Sequence, residues 1–438
     1  MMRSNCSVEA EEKTMNNQIL LQLGMTHDGL VDRRRFLQVT GAGLAAAGWL
    51  NAVGLSADDL KKRNAACILV WLGGGPSQFE TWDPKPGTDN GGKTKAIATA
   101  APGIKVAEHW PKMAELMKDC AIIRSMTSKE GNHERATYQL HTGRAPSGAL
   151  KYPSIGSVVA QELGEPAAEL PNFVSVGETV GPGFLGIHAA PFVVNSPGEL
   201  PANIAMTVSK ERMARRLALL KDQNAELSQA GAGEIAASQQ GLYDQAARMV
   251  LSPKLKSFDL KNESDKNRDA YGRNSFGQGL LMARRLVESG VPFIEVRKGG
   301  WDNHGDIFKA VPQNAGQVDP ALAQLIRDLK SRGLLETTLV ICMGEFGRTP
   351  KVNNKAGRDH YPKAFSALVA GSGIKGGRAI GKTNDNGTEV ADRPVSVPDL
   401  FQTFCKALKL NPATEMVTPQ GRPIKIVDEG KPVNELFA

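Results

Sequence analysis

Cysteine is scarce in this chain, with Cys6, Cys67, Cys120, Cys342 and Cys405 scattered through 438 residues and no CxxC pair among them. The scatter argues against a disulfide framework and against a cysteine-based zinc site. Three of the five sit in apolar, strand-like runs, where small buried thiols are common, and the usage fits a chain that folds in a reducing compartment. Aromatic residues are also few, at 5%. They do not interleave with runs of Lys and Arg, and the net charge of +7 is dispersed. An anionic small substrate or weak surface binding therefore fits better than sequence-specific nucleic-acid recognition. The glycine-rich stretch Gly73-Gly74-Gly75-Pro76-Ser77 is not followed by GK[ST] and lacks GxGxxG spacing, which removes a phosphate loop and a dinucleotide fingerprint. No internal repeat is present.

What is present is a regular alternation of apolar runs and helical patterns. Hydrophobic residues make up 41%, enough for one large domain or two modest ones. Ala66–Trp71, Cys120–Arg124, Phe173–Val176, Phe192–Val194, Val291–Val296, Thr337–Cys342 and Ala364–Ala370 read as buried strands. Between them, Pro111–Lys118, a stretch beginning after Asn132-His133, Gly279–Glu288, a segment opened by Asp319-Pro320, and Val397–Leu410 read as helices. This order predicts a parallel sheet with helices on its faces. From 204 to 270 the composition turns charged and rich in Ala and Gln, as expected of a helical insertion over a site. Residues 64–410 form the α/β domain on this reading, and 411–438 a closing segment.

At the other end, Asp32–Gln38 (DRRRFLQ) precedes a mildly apolar, glycine-interrupted stretch. It resembles a twin-arginine export signal, with Arg33 and Arg34 as the pair, so residues 1–57 are expected to be a leader read by the twin-arginine translocation machinery. Its glycines and Asn51 make it a poor permanent membrane span. The expected address is periplasmic or cell-surface.

Chemistry concentrates where strands end, as it does in open α/β sheets. After Val291–Val296 comes GGWDNHGD with Asp302 and His304. After Thr337–Cys342 comes MGEFGRTPKVNNKAGRDHYP with Glu345, Arg348, Asp359 and His360. One carboxylate and two imidazoles suit zinc or another borderline divalent ion, with manganese, calcium and iron as alternatives. Glu345 reads as a fourth ligand or a general base, and Arg348 as a fork for phosphate or sulfate oxygens. A structural network of buried His and Asp would leave the same letters. In SMTSKEGNHERATYQLHTGR, Thr127 and Ser128 precede Asn132, His133 and a helix, and either serve an oxyanion site or only cap that helix. Ser77, Thr81 and Asp83 could point inward, or Trp82-Asp83-Pro84 could be a turn. His109 and His188 stand alone.

The export signal, GGGPSQFETWDPKP, SMTSKEGNHERATYQLHTGR, GGWDNH, EFGRTP, GRDHYP and the ending GRPIKIVDEGKPVNELF together resemble, in that order, the bacterial domain of unknown function 1501 family, over nearly the whole chain. The resemblance implies kinship with the alkaline phosphatase and sulfatase superfamily. The implied fold is an alkaline phosphatase-like three-layer α/β/α sandwich, with a mostly parallel central sheet and a helical insertion. It further implies that Asp302, His304 and His360 match the ligands of one metal. A second metal site would be weakened, because Phe346 stands where a His is usual. Thr127 or Ser128 would be the nucleophile, with Asn132 and His133 beside it. The sulfatase CxPxR motif is missing, which argues against formylglycine chemistry. The expected activity is metal-dependent hydrolysis of a small anionic ester, or of a sulfated or phosphorylated glycan. The alternative is a catalytically degenerate binding protein on the same fold, holding a glycan or an exported protein.

Overall fold

The computed structural model describes residues 65–437, other than 149, 199, 202, 203 and 205–207. The expected export leader lies outside the described residues. Strands of the central sheet, numbered in chain order, are β1 (Ala66–Leu72), β2 (Cys120–Thr127), β3 (Phe173–Val176), β4 (Phe192–Val194), β5 (Phe293–Lys298), β6 (Thr338–Met343), β7 (Phe365–Ala370), β8 (Arg378–Ile380) and β9 (Val395–Ser396). The helices are α1 (Pro111–Glu115), α2 (His133–Thr142), α3 (Ile155–Leu163), α4 (Lys210–Leu227), α5 (Gly233–Leu251), α6 (Asp265–Tyr271), α7 (Ser275–Glu288), α8 (Ile307–Ser331) and α9 (Val397–Ala407).

Spatially the order is β8-β2-β7-β6-β1-β5-β3-β4, with β9 also paired to β2. Strand β1 is flanked in parallel by β5, with Cys67 opposite Phe293, and by β6, with Ala66 opposite Thr338. Strand β7 alone runs antiparallel, against both β2 and β6. The sheet is thus mostly parallel, as the alternation of strand and helix patterns predicts.

All seven residues of β1 are buried, because helices cover both faces. Ile68, Val70 and Leu72 pack into one core with Leu280, Leu286, Leu322 and Ile326 of α7 and α8. Cys67, Leu69 and Trp71 point the other way, into a second core with Val159 of α3 and Leu400, Phe401 and Phe404 of α9. Each such side chain contributes about 1.5–3 kcal/mol by leaving water, so the two cores fix the strand register on both sides. The free cysteines Cys67, Cys120, Cys342 and Cys405 are buried here. Burial pushes the Cys120 thiol up to about 12, leaving it inert.

Two helices differ from expectation. The run from Pro111 ends at Glu115 and finishes in a single 3-10 turn, Met117–Asp119. Helix α8 begins at Ile307, and carries Pro312 and Pro320 inside it. Asp319-Pro320 imitates a helix start in sequence, but the Asp319 carboxylate serves another helix, accepting from the N–H groups of Lys112 at 2.9 Å and Met113 at 2.8 Å. It caps the otherwise uncapped start of α1. In the 204–270 region, α4 and α5 pack against each other, joined through a turn in which Gly231 takes φ +89°. No helix among the described residues is long and apolar enough to cross a membrane.

Replacing Asp319 with Ala strips two N–H groups of α1 of their acceptor and should lower stability by about 1–3 kcal/mol. Urea denaturation reads this directly, and an unchanged midpoint would show that the cap carries no weight.

Candidate metal centre

Because β1, β5 and β6 are adjacent and parallel, their carboxyl ends open at one edge of the sheet. Gly73–Pro76 leaves β1, Gly299–Asp302 leaves β5 and Gly344–Phe346 leaves β6. Two further segments reach the same place: the start of α2, where Asn132 caps the helix by accepting from the Arg135 N–H, and His360, in a short antiparallel pair with Arg348.

Four side chains converge there. His133 Nε2 lies 3.3 Å from Asp302 Oδ1, His304 Nε2 lies 3.0 Å from it and His360 Nε2 lies 3.2 Å from it. The Nε2 atoms of His304 and His360 face each other at 3.0 Å. His133, Asp302 and His360 each present one ligand atom within 4.8 Å of the others.

The rear of each imidazole is held by an acceptor. Nδ1 of His133 is 2.7 Å from Glu345 Oε1, Nδ1 of His304 is 2.7 Å from Asp359 Oδ1, and Nδ1 of His360 is 2.8 Å from the Gly131 carbonyl. These partners assign the proton to Nδ1 in all three rings and leave each Nε2 with a lone pair. Nε2 of His133 is buried without a hydrogen-bond partner. Lone pairs of three imidazoles and one carboxylate oxygen therefore point at one another, an arrangement that repels itself without a cation between them. The donor set and its carboxylate- and carbonyl-held rings fit a divalent metal.

Electrostatics act in the same direction. The Glu345 hydrogen bond raises the His133 imidazole above its ordinary value and makes it a better donor to a cation, although burial opposes this. Burial would raise the Asp302 carboxyl, but the hydrogen bond and charge of Arg348 oppose it and the carboxyl is lowered to about 2. The hydrogen bond to His304 holds Asp359 below the usual carboxylate range. Phe346 forms an apolar backing, its ring centroid 4.9 Å from that of His133 and 4.5 Å from that of His360.

Glu345, expected as a ligand or base, thus stands behind His133, and its Oε1 also accepts from the Gly74 N–H at 2.8 Å. Gly74 has φ +116°, and a Cβ there would lie 2.4 Å from the Asp302 nitrogen, so only glycine permits this approach. Arg348, expected as an anion fork, is fully buried. Its guanidinium donates to the carbonyls of Gly74, Gly75, Trp301 and Arg358, and to Asp302 Oδ1 at 2.5 Å. Thr127 and Ser128 are not in hydrogen-bond contact with the four converging side chains. Thr127 Oγ1 donates to the Val395 carbonyl at 3.5 Å, Ser128 Oγ donates to Gln139 Oε1 at 2.8 Å, and both line a neighbouring cavity of about 670 Å³. Asp83 belongs to a separate clamp with Lys85, Arg124 and Thr383.

One supporting pair has no local signature in the sequence. Arg358, immediately before Asp359 and His360, and Glu80 are both fully buried, 2.9 Å apart. Arg358 also stacks over Phe79 at 4.3 Å and donates to the carbonyls of Thr349, Pro350 and Asn90. It fixes the loop that carries His360.

A family described as protein of unknown function (DUF1501) matches residues 64–437. The chain belongs to that family. No curated protein matches it. Solved structures similar to this DUF1501 chain include the PsFucS1 sulfatase from Pseudoalteromonas sp., at 14% identity and TM-score 0.37, covering 87% of this chain and 72% of the sulfatase. The phosphonate monoester hydrolase of Agrobacterium radiobacter matches at 14% identity and TM-score 0.34, covering 85% and 77%. The alkaline phosphatase from the Antarctic bacterium TAB5 matches at 13% identity and TM-score 0.33, covering 79% and 98%. All are distant, so the chemistry of the DUF1501 site rests on its own geometry.

Removing one partner of a buried ion pair leaves the other charge uncompensated. Arg358→Ala should therefore destabilise the DUF1501 chain by about 3–5 kcal/mol, measured by denaturant titration. A loss below about 1 kcal/mol, the scale of an exposed pair, would show that Glu80 finds another partner.

Proposed function

We propose that this protein is an exported hydrolase of phosphate or sulfate esters, built around one divalent ion held by His133, Asp302, His304 and His360. The observation that carries the reading is the shared orientation of the three imidazoles, each with Nδ1 tied back and Nε2 turned toward Asp302. Three nitrogen donors and one carboxylate favour zinc, with iron or manganese next and calcium disfavoured by the imidazoles. Charge supports it too. Asp302, Glu345 and Asp359 oppose Arg348 alone, so with neutral imidazoles the group carries two uncompensated negative charges.

Such an ion supplies Lewis-acid charge to an ester oxygen or to an attacking water. The chain's own residues prepare the place for it. Glu345 and Asp359 orient and strengthen their imidazoles, as carboxylates behind metal-bound histidines do. Arg348 holds Asp302 anionic and fixed. Asn132 shapes the turn that delivers His133. Asp302 and His304 are about half exposed, with side-chain values of 47% and 46%, so an ester dissolved in water reaches them. The Thr127 and Ser128 hydroxyls make no hydrogen bond to the converging side chains, which favours water over a protein hydroxyl as the attacking group. Export rests on Arg33, Arg34, Phe36 and Leu37 in the leader.

Elemental analysis of the purified chain should find about one divalent ion, absent from His304→Ala and His360→Ala, and turnover of an aryl phosphate, diester or sulfate should disappear with it. Glu345→Gln should keep the fold and weaken metal affinity by about 10–100-fold. No metal in wild type, with both His variants folded, would defeat the proposal. Metal retained without turnover on any ester would move the reading to a binding protein on the same fold.

A further inference from the structure

The cavity lined by Thr127 and Ser128 is not used by the metal centre, yet it shares a wall with it. Its lining also includes Lys129, Glu130 and Lys363. The Ser128 N–H donates to the Pro362 carbonyl at 2.8 Å, and the Gly131 carbonyl holds His360. Segments 128–133 and 360–363 thus run side by side, with the cavity toward one end and the converging imidazoles toward the other. Lys129 precedes His133 by four positions and Lys363 follows His360 by three, a reach of at most about 14 Å along extended chain.

At about 670 Å³ the cavity has the size of a small-molecule site. A second cavity of about 290 Å³ shares Ala145, Pro398 and Glu429 with it, which extends the space into one groove. At the far end the Arg144 guanidinium lies 4.9 Å from the Tyr152 ring centroid.

Most charges along this groove are already neutralised. Glu130 is gripped by Arg135 through two hydrogen bonds of 2.7 Å, and Arg144 pairs with Asp428. Among the described residues, no acid pairs with Lys129 or Lys363. Against these two cations stands one unpaired carboxylate, that of Glu429. Hydroxyls of Thr127 and Ser128 and the amide of Gln139 supply polar partners between them.

We infer that this groove is a subsite for the remainder of the substrate, an acidic oligosaccharide carrying a second sulfate, phosphate or carboxylate beyond the ester at the imidazoles. Lys129 and Lys363 read that extra charge, and the hydroxyl- and amide-lined wall takes the sugar hydroxyls. The inference rests on the ester-hydrolase reading for the identity of the substrate, but binding in the groove is independent of metal and turnover. Single-ester substrates would use the metal centre alone and leave the groove empty.

Calorimetric titration of the full chain with a short sulfated dextran oligosaccharide, and with the same oligosaccharide unsulfated, tests this. The sulfated form should bind more tightly, and Lys129→Ala/Lys363→Ala should weaken it by about tenfold, as loss of two exposed charge pairs implies. The charge-matched variant Lys210→Ala/Lys221→Ala, on α4, should retain binding. Equal binding by Lys129→Ala/Lys363→Ala, an equal loss in Lys210→Ala/Lys221→Ala, or no preference for sulfate would overturn the subsite. Lysine-dependent binding in a protein that holds no metal would uphold the groove while removing the hydrolase.

Discussion

The buried guanidinium of Arg348 is the tie on which the site depends. It reaches the exits of β1 and β5 and the 358 turn at once, through four backbone carbonyls and the Asp302 carboxylate. Its own backbone is held in a two-way bond with the Gln78 amide, 2.9 Å in each direction. A buried cation with so many directed partners tolerates little displacement of any of them, because each lost acceptor leaves part of the charge unsolvated. The edge of the sheet is thereby converted from independent loops into one rigid frame.

Within that frame, each chemically active side chain has a dedicated support. Glu345 and the Gly74 backbone fix His133, Asp359 fixes His304, the Gly131 carbonyl fixes His360 and Arg348 fixes Asp302. The bonds to Glu345 and Asp359 are short and charge-assisted, and together with the Gly131 carbonyl they set each ring's tautomer as well as its angle. The two arginines divide the labour: Arg348 faces the site, while Arg358, neutralised by Glu80, anchors the loop behind it.

Strands such as β1 and β6 are legible in sequence because both their faces are buried, which leaves a continuous apolar run. Strand β7 reads equally well, but nothing in its composition says that it runs backward, since direction is set by how the chain returns. Helix α8 was obscured by Asp319-Pro320, whose cap chemistry is spent on α1. At the site, residues that follow strand ends were legible as a set: Asp302, His304, Glu345 and His360. Their partners were not. Glu345 meets His133 across 212 positions and Arg358 meets Glu80 across 278, and pairings of that span leave no periodicity to read. For the same reason the inward turn of Arg348 was hidden, because a fork for anions and a fork for carbonyls are the same residue.

The antiparallel course of β7 has one more consequence. The chain leaves β6 at Met343 and re-enters the sheet at Phe365 in the neighbouring strand, with Cys342 opposite Leu368. The intervening excursion, which carries Glu345, Arg348, Arg358, Asp359 and His360, therefore starts and finishes in adjacent strands. Doubling the length of such a loop adds only about 0.6 kcal/mol of closure entropy. What limits the outer part of this excursion, between Thr349 and Gly357, is contact rather than closure: Asn353 donates to the His304 carbonyl at 3.0 Å and the Ile307 N–H donates to the Ala356 carbonyl at 2.9 Å, so a change of length there moves His304 with it.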